Sequence, residues 1–215
     1  MATAKIPFGA EAARGSVGQI TATVYRGTNV LKRRPYPSNP KTARQLVVRA
    51  WQTTVSRTWA ALSDANRLSW SVWASLHQVP DKFGAMVTHS GFNCYCGLGS
   101  LLLDMGKALV ATAPVAVGPT PLAGLAPTPG AGQCSFAWTA RAGTAETVDI
   151  WDSGVHTAGR TPSPNNAKHL AFKPGETTPG VVTSLAPGLH TFWLRVISET
   201  DGQSSPFVSC TATIS

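Results

Sequence analysis

The chain has 215 residues, 43% of them hydrophobic and 13% charged, enough to bury one sizeable core or two small ones. Its formal net charge is +8, and the excess is confined: 13 Lys and Arg stand against four acids up to residue 112, five against six beyond it. The first 13 residues lack the apolar core of a secretory signal, and no run approaches the roughly 18 apolar residues that span a bilayer, so the sequence predicts a protein made in the cytoplasm with no membrane partner.

Residues 1–38 read as an extended basic arm containing a β-hairpin. Ile20, Ala22 and Val24 alternate, Arg26-Gly27-Thr28-Asn29 offers a turn, and Val30 to Arg33 returns. A lone hairpin is marginal in water, so the arm is expected to be ordered by packing on a neighbouring subunit. Arg26, Lys32, Arg33 and Arg34, with Arg44 and Arg49 further on, make a basic docking surface. Such charge can neutralise phosphates or meet an acidic protein surface. Protein docking ranks above nucleic-acid contact, because the charges are not interleaved with exposed aromatics.

Residues 39–113 read as a helical anchoring domain. Asn39 is a good N-cap, Pro40 suits the first helical position, and Leu46, Ala50, Trp51, Val55, Trp59 and Leu62 recur at helical spacing. Ser63 and Asp64 restart the chain as a cap and an acidic first turn, after which Leu68, Val72, Trp73 and Leu76 share a face until Pro80. The result is a helical hairpin with Leu46, Trp51, Val55, Trp59, Leu62 and Trp73 in its core. The apolar window from Leu98 to Val117 is broken by Asp104, Gly106 and Lys107, and is expected to be a buried or interface helix. Cys94, Cys96 and the nearby His89 lack a second ligand pair, so the cysteines are read as small buried hydrophobes and no metal is implied.

This hairpin resembles a family of proteins from tailed bacteriophages and prophages, whose pattern runs Asn-Pro-x-Thr-x-x-Gln, Arg, Trp-x-x-Leu and Arg-x-x-Trp. The matching residues are Asn39, Pro40, Thr42, Gln45, Arg49, Trp59, Leu62, Arg67 and Trp70. A weaker likeness extends upstream through Gly15, Gly18 and Lys32-Arg33-Arg34-Pro35. Downstream it takes in Ser90-Gly91-Phe92-Asn93-Cys94-Tyr95, Leu103 and Gly106. The resemblance implies a structural component of the virion, and no catalytic residue is carried over with it.

Residues 114–132, with Pro114, Pro119, Pro121, Pro127 and Pro129, have the composition of a semi-rigid linker. Residues 133–215 then show short alternating runs at intervals of about ten residues with turn chemistry between them, which predicts an all-β sandwich. Phe136, Trp138, Ile150, Phe192, Leu194 and Val196 are its expected core. The loop Ser184 to Gly188 leading into His190-Thr191-Phe192, and the late Asp201 to Pro206, resemble a fibronectin type III module, with Trp138 as the core tryptophan of its second strand. The departure is the missing tyrosine between Leu185 and Phe192, which leaves another immunoglobulin-like topology open. Cys134 and Cys210 both alternate with core-facing residues and could approach across the sandwich; in a reducing cytosol free thiols are the expectation.

No catalytic constellation stands out. The histidines at 77, 89, 156, 169 and 190 are scattered, no serine or cysteine sits in G-x-S-x-G, and Gly97-x-Gly99 stands alone. Glu146, Asp149 and Asp152 read as a solvated rim along a strand. The sequence therefore predicts an α+β protein without cofactor or enzymatic activity: a virion component in the capsid, connector or tail, present in many copies and contacting other virion proteins. The alternative is a basic DNA-binding or packaging-associated protein.

Overall fold

The computed structural model describes residues 2–3, 15–17, 19–25, 28–34, 39, 41–80, 84–115, 117–141, 145–175 and 178–215. Contacts divide the chain into two compact units, residues 1–43 and 44–215. The architecture is α+β, with antiparallel sheets throughout.

The first unit is built on the hairpin visible in the sequence. Strand β3 (Ile20–Tyr25) pairs antiparallel with β4 (Thr28–Arg33), with Tyr25 opposite Thr28 at the turn. Two shorter strands extend it. β1 (Ala2–Thr3) adds to β4 and β2 (Gly15–Val17) to β3, giving the order β1-β4-β3-β2. A four-stranded sheet escapes the marginal stability of an isolated pair.

Helix α1 spans Ala43–Ala61, three residues later than an Asn39 cap would start it. Lys41 explains the delay: its φ of 49° is left-handed, and no helix runs through such a residue. Pro40 lies outside the described residues. Helix α2 (Asp64–Leu76) begins where the sequence marks it, with the Ser63 hydroxyl accepting from the Asn66 amide and Asp64 in the first turn. After a short ladder of β5 (Val79–Pro80) and β6 (Met86–Val87), helix α3 spans Gly91–Asp104 under a Ser90 cap. The expected helix of residues 98–117 is thus displaced upstream. Gly106, at φ 72°, ends it, and the Lys107 amide closes the turn on the Leu102 carbonyl.

The helices share an aromatic core. Val55, Trp70, Tyr95 and Ala113 are buried, and Trp59, Leu62, Trp73, Leu98 and Leu103 pack against them. The Tyr95 ring lies 5.2 Å from Trp70, edge to face, and 5.3 Å from Trp59. Gly91 lets α3 reach α2: a Cβ there would come within 2.8 Å of the Ser71 backbone nitrogen. Two expected core positions differ. Leu46 is 51% exposed, because the buried side of α1 is the one that carries Val55, and Trp51 is half-buried beneath the Arg44 guanidinium, 4.7 Å from its ring centroid. The buried face of α2 carries Trp70 and Ala74, so Leu68, Val72 and Leu76 point elsewhere.

The rest of the second unit is a β-sandwich. One sheet holds β7 (Ala126–Gly130), β8 (Gln133–Ala137) and β11 (Gly180–Thr183) in the order β11-β8-β7. The facing sheet holds β9 (Glu146–Asp152), β10 (Lys168–Pro174), β12 (Gly188–Ser198) and β13 (Val208–Ile214) in the order β10-β9-β12-β13. Phe136, Trp138, Ile150, Phe192, Leu194 and Val196 are all buried between the sheets. Trp138 follows β8 directly, and its indole donates to the Gly175 carbonyl at 3.1 Å.

The proline-rich stretch is partly sandwich. Leu122 is buried in the core and residues 126–130 form β7, opposite β8. Pro127 and Pro129 are tolerated there because β7 is an edge strand, where a missing N–H breaks no ladder. Nor is the sandwich held apart from the helices. Lys107 after α3 pairs with Glu199, and Gly202, at φ 77°, brings its backbone so close to α3 that a Cβ would fall 2.6 Å from the Leu98 carbonyl oxygen.

Candidate functional site

The candidate docking residues fall in both units of the chain. Arg26 lies outside the described residues. Lys32 and Arg33 are exposed neighbours in β4, and successive strand residues face opposite sides of a sheet. Arg34 is exposed, its amide donating to the Gln19 carbonyl at 2.6 Å. Arg44 is occupied within the second unit: both Nη groups donate to Asp104 of α3, at 2.9 and 2.8 Å, and this bidentate pair pushes the guanidinium pKa up. It ties α1 to α3 rather than offering a charge to a partner. Arg49 is exposed on α1.

The Trp-x-x-Leu and Arg-x-x-Trp residues form the α1–α2 corner. Trp59 packs on Phe92 and Tyr95, and Leu62 sits against the same core. Arg67 turns back to donate from Nε to the Trp59 carbonyl at 3.3 Å and from Nη2 to the Ala60 carbonyl at 2.7 Å. These are carbonyls of the last turn of α1, which have no partner inside the helix. Trp70 is buried and donates from its indole to the Ala111 carbonyl at 3.1 Å, while the Ala113 amide donates to the Ser69 hydroxyl. The motif thus builds the packed corner between α1 and α2.

One side of α2 presents apolar side chains to solvent. Leu68, Val72 and Leu76 lie one or two turns apart along α2 and are 64%, 51% and 75% exposed. With Ala65, Ala113 and Val115 they line a groove of about 480 Å³. Leu76 and Trp73 also border a second groove of about 630 Å³ that runs past His77, Val79 and Asn93 to Gln203. Cys94 and Cys96 are half-buried and their thiol pKa values are pushed up by burial. Among the described residues, no three or more His, Cys, Asp or Glu converge as metal ligands.

The sandwich contains buried charge that the sequence reading placed on a solvated rim. Glu146 pairs with Arg141, Asp149 is 1% exposed, and Asp152 is buried. Asp149 Oδ2 accepts from Arg195 Nε at 2.9 Å, and Oδ1 lies 3.2 Å from His169 Nε2, an ion-pair distance without hydrogen-bond alignment. Burial pushes the Asp149 carboxyl up, but the contacts with His169, Trp151 and Arg195 outweigh it and hold the group below the usual carboxylate range. Asp152 meets His190 Nδ1 at 2.9 Å, and His190 Nε2 meets the Ala186 carbonyl at 2.9 Å. A buried histidine therefore ties the start of β12 to the chain four residues upstream, the tie that a corner tyrosine makes in immunoglobulin-like sandwiches. Cys134 is buried and Cys210 half-buried, both as free thiols. Burial and the neighbouring Cys134 push the Cys210 thiol up to about 12.

No family model and no curated protein matches the chain. A solved structure described as FN3tt aligns at 20% identity with a TM-score of 0.34, over 46% of this chain and 97% of that one.

Proposed function

We propose that the chain is a non-enzymatic structural component of a bacteriophage particle, docked on neighbouring virion proteins through its helical layer and carrying a fibronectin type III-like sandwich. The observation that carries this reading is the exposed apolar stripe of Leu68, Val72 and Leu76 beside its grooves. Contiguous apolar surface of this kind marks an interaction face. The Asn-Pro to Arg-x-x-Trp resemblance supplies the setting, and the motif's role as a packed corner suits a part repeated in many copies. The fibronectin type III reading is supported by the division of seven strands into sheets of three and four, and by the His190 tie at the corner.

The experiment is to grow the phage or prophage that encodes this chain and to weigh its particles by quantitative mass spectrometry. The chain should be present in many copies, and the Leu68→Ser/Leu76→Ser double variant should melt like the parent yet be lost from particles, since exposed positions contribute little to folding. Absence of the parent chain from purified particles, or normal incorporation of the variant, overturns the reading. Tight, salt-sensitive binding of the isolated protein to duplex DNA would point instead to packaging.

A further inference from the structure

A small cavity of about 260 Å³ lies on the outer face of the four-stranded sheet, away from the helical stripe, between the 3-10 turn at Pro164–Asn166 and the residues that lead into β13. Trp151 of β9 and Arg195 of β12 form its floor, Pro164 and Asn165 one wall, and Phe207 the other. Arg195 is held in place from below and from one side. Its Nε is fixed by the buried Asp149 carboxylate, and its guanidinium carbon lies 4.9 Å over the Phe207 ring. Among the described residues, the two Nη groups have no hydrogen-bond partner, and neither does the exposed Asn165 side-chain amide. A guanidinium with one edge fixed and the other open is a preorganised fork for a carboxylate.

We propose that this cavity binds a carboxylate-bearing sugar, the acidic residue of a glycan, with its carboxylate on the Nη edge of Arg195 and its ring against Trp151 and Phe207. The chemistry of the walls selects this class. Trp151 and Phe207, at 83° to each other, and Pro164 give the cavity apolar walls on two sides, one of which can stack on the C–H face of a pyranose while another packs on its edge, and the Asn165 amide borders the same space for a ring hydroxyl. The Arg195 charge is already matched by Asp149, so the site suits a monoanion better than a phosphate dianion. Its size suits one ring rather than an extended peptide. This inference goes beyond the docking role and does not depend on where the helical layer binds.

The test is ligand-detected NMR titration of the full chain with methyl β-D-glucuronide, using methyl β-D-glucoside and N-acetyl-glutamate amide as comparisons. Saturable binding of the glucuronide is expected, with the neutral glucoside weaker by about tenfold or more, as loss of a charge-assisted fork implies. Arg195→Lys keeps the charge but loses the fork and should weaken glucuronide binding by about tenfold. Should that variant unfold because Asp149 loses its partner, Asn165→Ala and Phe207→Ala, both at exposed positions, should still weaken binding several-fold while melting near the parent temperature. The proposal is overturned by absence of saturable binding, by equal affinity for the glucoside, by tighter binding of the amino-acid carboxylate, or by well-folded Asn165→Ala and Phe207→Ala variants that bind like the parent.

Discussion

The His190 tie can be tested on its own. His190→Ala removes a fully buried side chain that meets Asp152 Oδ1 and the Ala186 carbonyl, both at 2.9 Å, and that lies parallel to the Phe192 ring at 5.7 Å. Losing the backbone hydrogen bond costs about 1 kcal/mol, while leaving the Asp152 carboxylate buried without its imidazole costs about 3 to 5 kcal/mol. The total is therefore about 4 to 6 kcal/mol, comparable with the whole stability of many domains. Urea unfolding of the parent, His190→Ala, Asp152→Ala and the double variant gives the coupling. Asp152→Ala removes the stranded charge, so the double variant should be less destabilised than the two singles added together, by about 1 to 3 kcal/mol. A His190→Ala loss below about 1 kcal/mol, or strict additivity across the cycle, would refute the argument that this buried pair locks the corner.

Four further outcomes follow from the packing and the buried groups. Trp70→Ala should cost about 3 to 5 kcal/mol as a large-to-small core change, whereas Leu76→Ala should stay within about 0.5 kcal/mol; chemical denaturation separates the two. Gly202→Ala should destabilise by more than about 1 kcal/mol, since it strains a left-handed residue and drives a methyl into the Leu98 carbonyl, and its melting curve reports the contact between α3 and the sandwich. Asp149 and Glu199 both have folded pKa values below the ordinary range. Their contribution is therefore present above the unfolded values, near about 3.9 and 4.3, and is lost as pH falls through the lower folded ones; a melting temperature followed from pH 6 down should drop in that acid window, and less so in Asp149→Asn. With Cys210 pushed up to about 12 and the other three thiols also raised by burial, iodoacetamide at about pH 8 should label the native protein slowly. It should label all four cysteines once the chain is unfolded, as counted by intact mass.

The features legible in the sequence were those decided within a few residues. Ser63 announces the start of α2 because a cap acts on an amide three residues away, and the alternation through Phe192, Leu194 and Val196 reports one sheet face directly. Long-range register was hidden. Asp149 carries no local sign that Arg195 stands opposite it on β12, nor Asp152 that His190 will reach it. Helical periodicity likewise gives a face without saying which face is covered: Leu68, Val72 and Leu76 are as regular as a core, yet the larger Trp70 takes the buried side. Composition misled at residues 126–130, where two prolines suit an edge strand as well as a linker. The segment from Leu185 to Phe192 lacks a tyrosine, and His190, with both ring nitrogens bonded, ties the corner instead.

The seating of Gly202 on the Leu98 carbonyl, with the Lys107–Glu199 pair beside it, has a mechanical consequence. A module on a slack tether absorbs a pull by extending the tether and turning freely, so neither direction nor force reaches its base. Here a load applied to the strands of the sandwich passes through the turn between β12 and β13 into α3, and from α3 through Tyr95 and the Arg44–Asp104 fork into α1 and α2. The sandwich and the helical corner are therefore coupled by direct contact, and under the docking proposed above a hold on the corner would also orient the outer sheet face.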